Sequence, residues 1–239
     1  MKAWPIEICV ETLKAARAAE RGGASRIELC ARLDLNGLTP EEGLTAEVVR
    51  EASIPVRVMI RPREGGFAYT PGEFRQMGQQ VGWVKETGAA GVVVGVLLGD
   101  GRVDVGRTRE LVERARPMKV TFHRAFDETQ DLSEALEAVI ATGADCLLTS
   151  GGAADVLSGA EAIARLRRQA GDRIQVMAGG GLRLSNLAAV LRRTGVSWLH
   201  GSLSGGESGL AAPADKAEML EANVREAVRL MEGELRQRS

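Results

Sequence analysis

Short apolar stretches alternate with longer amphipathic ones along the whole chain. The short stretches are typical of buried strands, whereas apolar residues that recur every three or four positions indicate helices. The last amphipathic stretch shows the helical pattern clearly, with Leu220, Val224, Ala227 and Met231 separated by charged residues. The pattern therefore predicts an α/β protein in which a helix follows each strand.

Eight strands and eight helices are predicted by this alternation. The strands are expected at Pro5–Val10, Arg26–Ala31, Val56–Arg61, Gly91–Leu97, Lys119–His123, Cys146–Ser150, Ile174–Ala178 and Trp198–Ser202. The helices are expected at Thr12–Arg21, Leu44–Glu51, Pro71–Thr87, Val105–Arg114, Leu132–Thr142, Ala154–Gln169, Ser185–Arg193 and Asp215–Arg236. Regular strand–helix units without a linker predict a single-domain (β/α)8 TIM barrel over residues 1–239. An open doubly wound sheet is the alternative.

The composition excludes several classes of partner. Lys+Arg 31 balance Asp+Glu 32 without a basic stripe, so no nucleic-acid partner is expected. Neither a membrane-spanning apolar run nor a signal peptide is visible, so no membrane partner is expected. Three cysteines, an odd number, indicate free thiols in a reducing compartment. We therefore expect a cytoplasmic protein.

The tetrapeptides Ile6-Glu7-Ile8-Cys9 and Ile27-Glu28-Leu29-Cys30 repeat one unusual pattern on the first two strands. In each copy the carboxylate and the thiol share one face, with the cysteine one layer nearer the barrel mouth. Neighbouring strands are close enough for two thiolates to share a soft ion such as Cu(I). The alternative is that both cysteines, like Cys146, are small buried apolar residues.

Charged and polar residues also alternate along the third and fifth strands, which end at Arg61 and His123. The C-terminal ends of barrel strands carry the active site in enzymes of this fold. One reading is catalytic: Glu7 or Glu28 acts as general base, His123 as acid, and Arg61 binds an anionic substrate. The alternatives are that the glutamates neutralise Arg57 and Arg61, and that His123 is a hydrogen-bonded core residue.

The remaining strand ends are rich in glycine, serine and histidine. Close approach of the backbone to an anion requires glycine, and barrels often bind phosphate after strands seven and eight. Candidate ligand-binding residues are Ser150, Gly179, Gly180, Gly181, His200 and Ser202. The alternative is that the glycines only permit sharp turns. Two segments, Arg61–Phe67 and Ser202–Pro213, are candidate lids over the mouth.

Several longer motifs resemble the CutC family associated with copper homeostasis, and the resemblance runs over nearly the whole chain. The motifs include Met59-Ile-Arg-Pro-Arg63, Val120-Thr-Phe-His-Arg-Ala-Phe-Asp127, Leu148-Thr-Ser-Gly151 and Ala178-Gly-Gly-Gly181, besides the two Glu-x-Cys strands. The resemblance implies a (β/α)8 barrel in the cytoplasm that assembles as a homodimer or homotetramer. It also implies Cu(I) binding, with Cys9 and Cys30 as the ligands.

Two functions are therefore expected as alternatives. The first is a cytoplasmic copper-homeostasis protein that binds Cu(I) through Cys9 and Cys30. The second is a TIM-barrel lyase, isomerase or hydrolase that acts on a small anionic metabolite and uses the glutamates, Arg61 and His123. The partner is accordingly either a copper ion or a small anionic molecule.

Overall fold

Eight parallel strands pair in sequence order, and the last pairs with the first, so the sheet closes into a barrel. The computed structural model describes residues 4–205 and 215–238. Within these residues each strand is followed by a helix on the outside of the barrel. The predicted (β/α)8 barrel is confirmed, and closure of the sheet excludes the open doubly wound alternative.

The elements lie close to their predicted positions. The strands are β1 Ile6–Val10, β2 Arg26–Leu29, β3 Val56–Met59, β4 Gly91–Val94, β5 Lys119–Phe122, β6 Cys146–Thr149, β7 Gln175–Gly179 and β8 Trp198–Gly201. The helices are α1 Leu13–Gly22, α2 Glu42–Glu51, α3 Pro71–Glu86, α4 Val105–Ala115, α5 Leu132–Ala141, α6 Ala160–Ala170, α7 Leu184–Thr194 and α8 Lys216–Arg238. Short 3₁₀ helices lie at Leu33–Leu35 and Arg124–Glu128.

Two kinds of boundary differ from the prediction. Strands β2, β3 and β4 end two or three residues early, because the chain turns there into the loops that surround the mouth. Helix α6 begins at Ala160 rather than Ala154. The carboxylate of Asp155 accepts hydrogen bonds from the N–H groups of Leu157 and Ser158, which holds the preceding residues in a turn.

Alternation along the strands separates two environments. Ile6, Ile8 and Val10 belong to the large apolar cluster between the barrel and its helices. The intervening residues point into the barrel, where Glu7, Arg26, Glu28 and Arg57 are at most 6% exposed. Barrel interiors are usually filled by Val, Ile and Leu, so a charged interior is costly unless its groups are paired.

The outer helices follow ordinary local rules. Helix α3 begins with Pro71 after a capping box, in which Thr70 and Glu73 satisfy each other's backbone N–H groups. Helix α1 ends at Gly23, whose φ of 98° lies in the left-handed region. Across the two described ranges, no helix combines the length and apolarity needed to cross a bilayer.

Candidate metal and ligand site

A cavity of about 470 Å³ opens at the C-terminal ends of the strands. Eight of the residues singled out from the sequence line it: Cys9, Glu28, Arg61, His123, Gly180, Gly181, His200 and Ser202. Four others, Glu7, Cys30, Ser150 and Gly179, lie behind this lining. The mouth of the barrel therefore gathers most of the predicted residues into one chamber, and the residues behind it require separate explanations.

Cys9, Glu28 and His200 form a compact group of possible metal ligands on one wall of the cavity. One donor atom from each residue lies within 4.8 Å of the others. The group is assembled by the strand register, because β1 pairs with β2 so that Cys9 is opposite Glu28. His200 comes from β8 on the other side of β1, where it is opposite Glu7. Among the described residues this is the one group of three such donors.

Glu7 lies beneath this group and fixes the orientation of His200. Its side chain is fully buried, and its Oε1 is 2.8 Å from His200 Nδ1. Its Oε2 forms an ion pair with the guanidinium of Arg26, which in turn stacks on Trp198 at 4.0 Å from the ring centroid. Because Nδ1 is engaged by Glu7, Nε2 is the ring nitrogen available to the cavity, 4.0 Å from Glu28 Oε1.

The charges of this wall are strongly coupled. Burial would raise the pKa of Glu7, but the hydrogen bond from His200 and the charge of Arg26 prevail and lower the pKa to about 2. Burial and the neighbouring Glu7 charge raise the pKa of Glu28 to about 7, against the charge of His200. Burial opposes protonation of His200, yet Glu28, Cys9 and Glu7 together raise its pKa well above the usual value. The acidic groups of this wall therefore favour a protonated His200, and a metal ion at Nε2 would take the place of that proton.

Cys30 does not belong to the donor group. The sequence predicts Cys30 as the partner of Cys9, but the register places Glu28 opposite Cys9, and Cys30 follows the end of β2, two residues beyond Glu28. The Cys30 side chain is fully buried against Met59, Val93 and Leu33. Burial, the Glu28 charge and the Cys9 thiol raise its pKa far above the usual range of a thiol, which keeps it protonated. Because neighbouring strands are staggered, the cysteine of the first motif faces the cavity beside Glu28, whereas the cysteine of the second motif is buried away from it.

Arg61 lines the cavity but does not pair with either glutamate. Its guanidinium donates to the carbonyl oxygens of Leu35 at 2.7 Å, Gly37 at 3.1 Å and Gly65 at 2.8 Å. Its Nε is buried without a hydrogen-bond partner, and its Cζ lies 4.9 Å from the centroid of the Phe67 ring. Arg61 therefore ties the loops after β2 and β3 to the mouth and leaves a cation on the cavity wall.

Arg57, the other arginine considered as a counter-ion, lies deeper in the barrel. Its guanidinium donates to the hydroxyl of Thr121. The buried ion pair with Glu7 is instead made by Arg26, which was not singled out from the sequence. The available signal was its spacing, because Arg26 precedes Glu28 by two residues and shares its face of the strand.

His123 forms the first residue of a tight turn and is held in one tautomer. Its Nδ1 accepts a hydrogen bond from the N–H of Ala125 at 3.1 Å, so the proton of the neutral ring is on Nε2. That Nε2 is buried without a partner. Burial, followed by the Arg61 charge, lowers the pKa of His123 to about 3. The neutral ring has a hydrogen-bond donor at Nε2, and the role of His123 as general acid stays a prediction.

Ser150 and Gly179 have structural roles in this fold. The Ser150 hydroxyl lies 2.9 Å from a carboxylate oxygen of Asp127 and 2.8 Å from the carbonyl oxygen of Ala153. A Cβ on Gly179 would meet Cδ1 of Leu148 at 2.8 Å and Cβ of His200 at 3.0 Å. Gly179 therefore allows β7 to approach β8 closely.

Gly180 and Gly181 both line the cavity with φ angles of 98° and 70°, which favour glycine. This geometry supports the sharp turn after β7, and Ser202 lies beside it at the end of β8. Of the two candidate lids, Arg61–Phe67 is the loop that Arg61 fastens. The other, Ser202–Pro213, lies mostly outside the described residues, which stop at residue 205 and resume at 215.

Comparison with known proteins gives a consistent result. The family model described as the CutC family matches residues 4–205. A family protein CutC of Caulobacter vibrioides is 45% identical over 200 residues, which cover 84% of this chain and 81% of that protein. A family protein CutC of Mesorhizobium japonicum is 46% identical over 195 residues, which cover 82% and 76% of the two chains.

Solved structures agree with the sequence comparison. The crystal structure of a CutC protein from Streptococcus agalactiae superposes with a TM-score of 0.78 at 30% identity. It covers 83% of this chain and 98% of that chain. The thiamine phosphate pyrophosphorylase of Pyrococcus furiosus, with a TM-score of 0.64 and 17% identity, shares the fold.

Proposed function

Starting from the fact that the chain belongs to the CutC family, we propose that it serves copper homeostasis by binding Cu(I) with Cys9 and His200. Glu28 is the third donor of the group. The observation that carries this proposal is the buried chain from Arg26 through Glu7 to His200, which engages Nδ1 and leaves Nε2 beside Cys9 and Glu28. A carboxylate that holds the far nitrogen of a histidine is a recurring support of metal-binding histidines.

The donor chemistry suits copper as the cargo. A thiolate is a soft ligand that selects Cu(I), and imidazole suits copper equally well. Glu28 is a harder ligand, but its carboxylate balances the positive charge that an ion brings into a buried wall. All three donors line the cavity, so an ion held by them would have a route in and out through the mouth. The proposal keeps Cys9 from the predicted two-cysteine site and takes His200 and Glu28 in place of Cys30.

A Cu(I) titration under anaerobic conditions tests the proposal. The wild type and the variants Cys9→Ser and Cys30→Ser compete with a chromophoric Cu(I) chelator, with Cys146→Ser as the matched control for a buried thiol outside the cavity. We expect Cys9→Ser to lose the tight site and the other two variants to retain it. Unchanged affinity in Cys9→Ser, or an equal loss in Cys30→Ser, would contradict the proposed ligands.

Membership in the family also leads us to propose a cytoplasmic homodimer or homotetramer. Size-exclusion chromatography with light scattering measures the mass of the assembly directly. A monomer at micromolar concentration would contradict this part of the proposal.

A second candidate function is the enzyme expected from the sequence, acting on a small anionic metabolite. The observation that favours it is the size of the chamber, because about 470 Å³ is typical of a small-molecule pocket and far more than one ion needs. In this reading Glu28 is the general base, since burial raises its pKa to about 7. Turnover of a metabolite by the wild type that disappears in Glu28→Gln would support it. A broad metabolite screen without turnover would exclude it.

A further inference from the structure

The wall opposite the metal group carries features that the copper site does not use. Arg61 is 5% exposed, and within residues 4–205 and 215–238 no carboxylate lies in ion-pair distance of it. Its charge is met by three carbonyl dipoles, the Phe67 ring and the neighbouring Tyr69 hydroxyl, and its Nε makes no hydrogen bond of ordinary geometry. A buried cation without a counter-ion is costly, so a place for an anion beside it is expected.

His123 supplies a second unsatisfied donor on the same wall. Its Nδ1 is occupied by the N–H of Ala125, which leaves Nε2–H without an acceptor. The Phe67 ring lies between the two residues, with its centroid 5.0 Å from the His123 ring and 4.9 Å from Arg61 Cζ. All three residues line the cavity, so Phe67 groups the two donors on one part of its wall. We call Arg61, Phe67 and His123 the donor wall.

We propose that the donor wall binds a small organic carboxylate, with the carboxylate at Arg61 and a neighbouring hydroxyl or carbonyl oxygen at His123. The planar guanidinium matches a carboxylate, and a fixed N–H donor selects an uncharged oxygen acceptor. A phosphate dianion fits less well, because Glu28 and Asp34 line the same cavity. Apolar contacts from Phe67 and Leu148 suit the carbon skeleton of such a molecule.

This inference names the substrate class of the second candidate function and shares its cavity, but it is a statement about binding. If a carboxylate binds but is not turned over, the proposed binding site is supported and the enzymatic function is not. The copper site is separable too, since Cys9→Ser is expected to leave carboxylate binding unchanged.

The experiment uses lactate as the probe, lactamide as its uncharged analogue and inorganic phosphate as the competing anion. Binding to the full chain is measured by calorimetry and by the imidazole ¹⁵N–¹H NMR signals, which come from only two histidines. We expect lactate to bind, lactamide to bind at least about tenfold more weakly, and phosphate more weakly than lactate. Lactate is also expected to shift the Nε2–H signal of His123.

Three variants locate the site. Arg61→Gln is expected to weaken lactate binding by about tenfold or more, since it removes the charge. His123→Asn keeps an acceptor for the Ala125 N–H but removes the Nε2 donor, so binding should weaken by up to about tenfold. Arg124→Gln is the matched control, because Arg124 lines the same cavity but is already paired with Asp127 at 2.8 Å.

The possible outcomes separate cleanly. No lactate binding to the wild type, equal binding of lactamide, or tighter binding of phosphate overturns the proposal. So does an equal loss in Arg124→Gln and Arg61→Gln. If Arg61→Gln fails to fold, because that side chain also holds the loop carbonyls, then His123→Asn decides: unchanged lactate binding overturns the proposal and weakened binding supports it.

Discussion

Glu7 offers a sharp test of the proposed copper site, because it should raise the Cu(I) affinity through His200 without being a ligand itself. In the structure its ionised carboxylate accepts from His200 Nδ1 and is paired with Arg26. The substitution Glu7→Gln preserves size and an acceptor oxygen but removes the charge that holds the proton on Nδ1. His200 then presents a less basic and less firmly oriented Nε2 to the cavity.

The expected loss follows from the behaviour of comparable supporting carboxylates. Removing such a partner typically weakens metal affinity by about 10–100-fold, which corresponds to about 1.4–2.7 kcal/mol. The fold is weakened as well, because Arg26 loses its counter-ion. Removing one partner of a buried ion pair costs about 3–5 kcal/mol, and the retained amide oxygen reduces this cost.

The assay is a Cu(I) competition titration of wild type and Glu7→Gln, with urea unfolding of both proteins to confirm that the variant is folded. Glu234→Gln is the matched control, since Glu234 is 8% exposed and paired with Arg192 at 2.5 Å on the outer helices. We expect the control to lose stability and keep its copper affinity. An unchanged affinity in Glu7→Gln, or an equal loss in Glu234→Gln, would refute the supporting role.

Three further predictions concern the rest of the barrel. His123 stays neutral in the fold because burial lowers its pKa from 6.5 to about 3, so only the unfolded chain takes up a proton between these values. The His123 contribution to stability is complete above pH 6.5 and falls as the pH decreases, by ~2 kcal/mol between pH 6.5 and 5. Glu28 and His200 titrate in wild type and variant alike, so the test is the difference: urea unfolding should show the wild type losing about this much stability relative to His123→Asn, and an equal change in both proteins would contradict the prediction. Gly179→Ala should lower both the free energy of unfolding and the Cu(I) affinity, because the added Cβ would lie 3.0 Å from Cβ and from the carbonyl oxygen of His200. Wild-type values in both the urea unfolding and the Cu(I) titration would show that β8 can move aside. Thr70→Ala should lower the free energy of unfolding by ~1 kcal/mol through loss of the helix cap and leave copper binding unchanged, and a change in copper binding would show that α3 is coupled to the mouth.

The fold could be predicted because two local signals recur at every unit. Apolar residues at every second position mark the helix-facing side of the strands, as in Ile6, Ile8 and Val10, and apolar residues at helical spacing mark the outer layer. The charged face of β1 and β2 was visible for the same reason. These signals are local to each strand–helix unit. Eight such units in a row predict a closed barrel, whatever the contacts between the units are.

The partners inside the barrel could not be predicted, because they depend on the register between strands. Two copies of one motif suggest that Cys9 and Cys30 are level, but the stagger of the barrel sets Cys9 level with Glu28. Arg61 was expected to face a carboxylate and instead binds carbonyl oxygens of two loops, whose paths have no periodic signal. His123 was expected to donate a proton, but its tautomer is set by a turn that places the Ala125 N–H at Nδ1.

The most direct test of the central claim is X-ray absorption spectroscopy of the Cu(I)-loaded protein. We expect one sulfur ligand together with imidazole nitrogen, from Cys9 and His200. The sulfur contribution should disappear in Cys9→Ser and persist in Cys30→Ser. A site with two sulfur ligands, or a spectrum that is unchanged in Cys9→Ser, would contradict it.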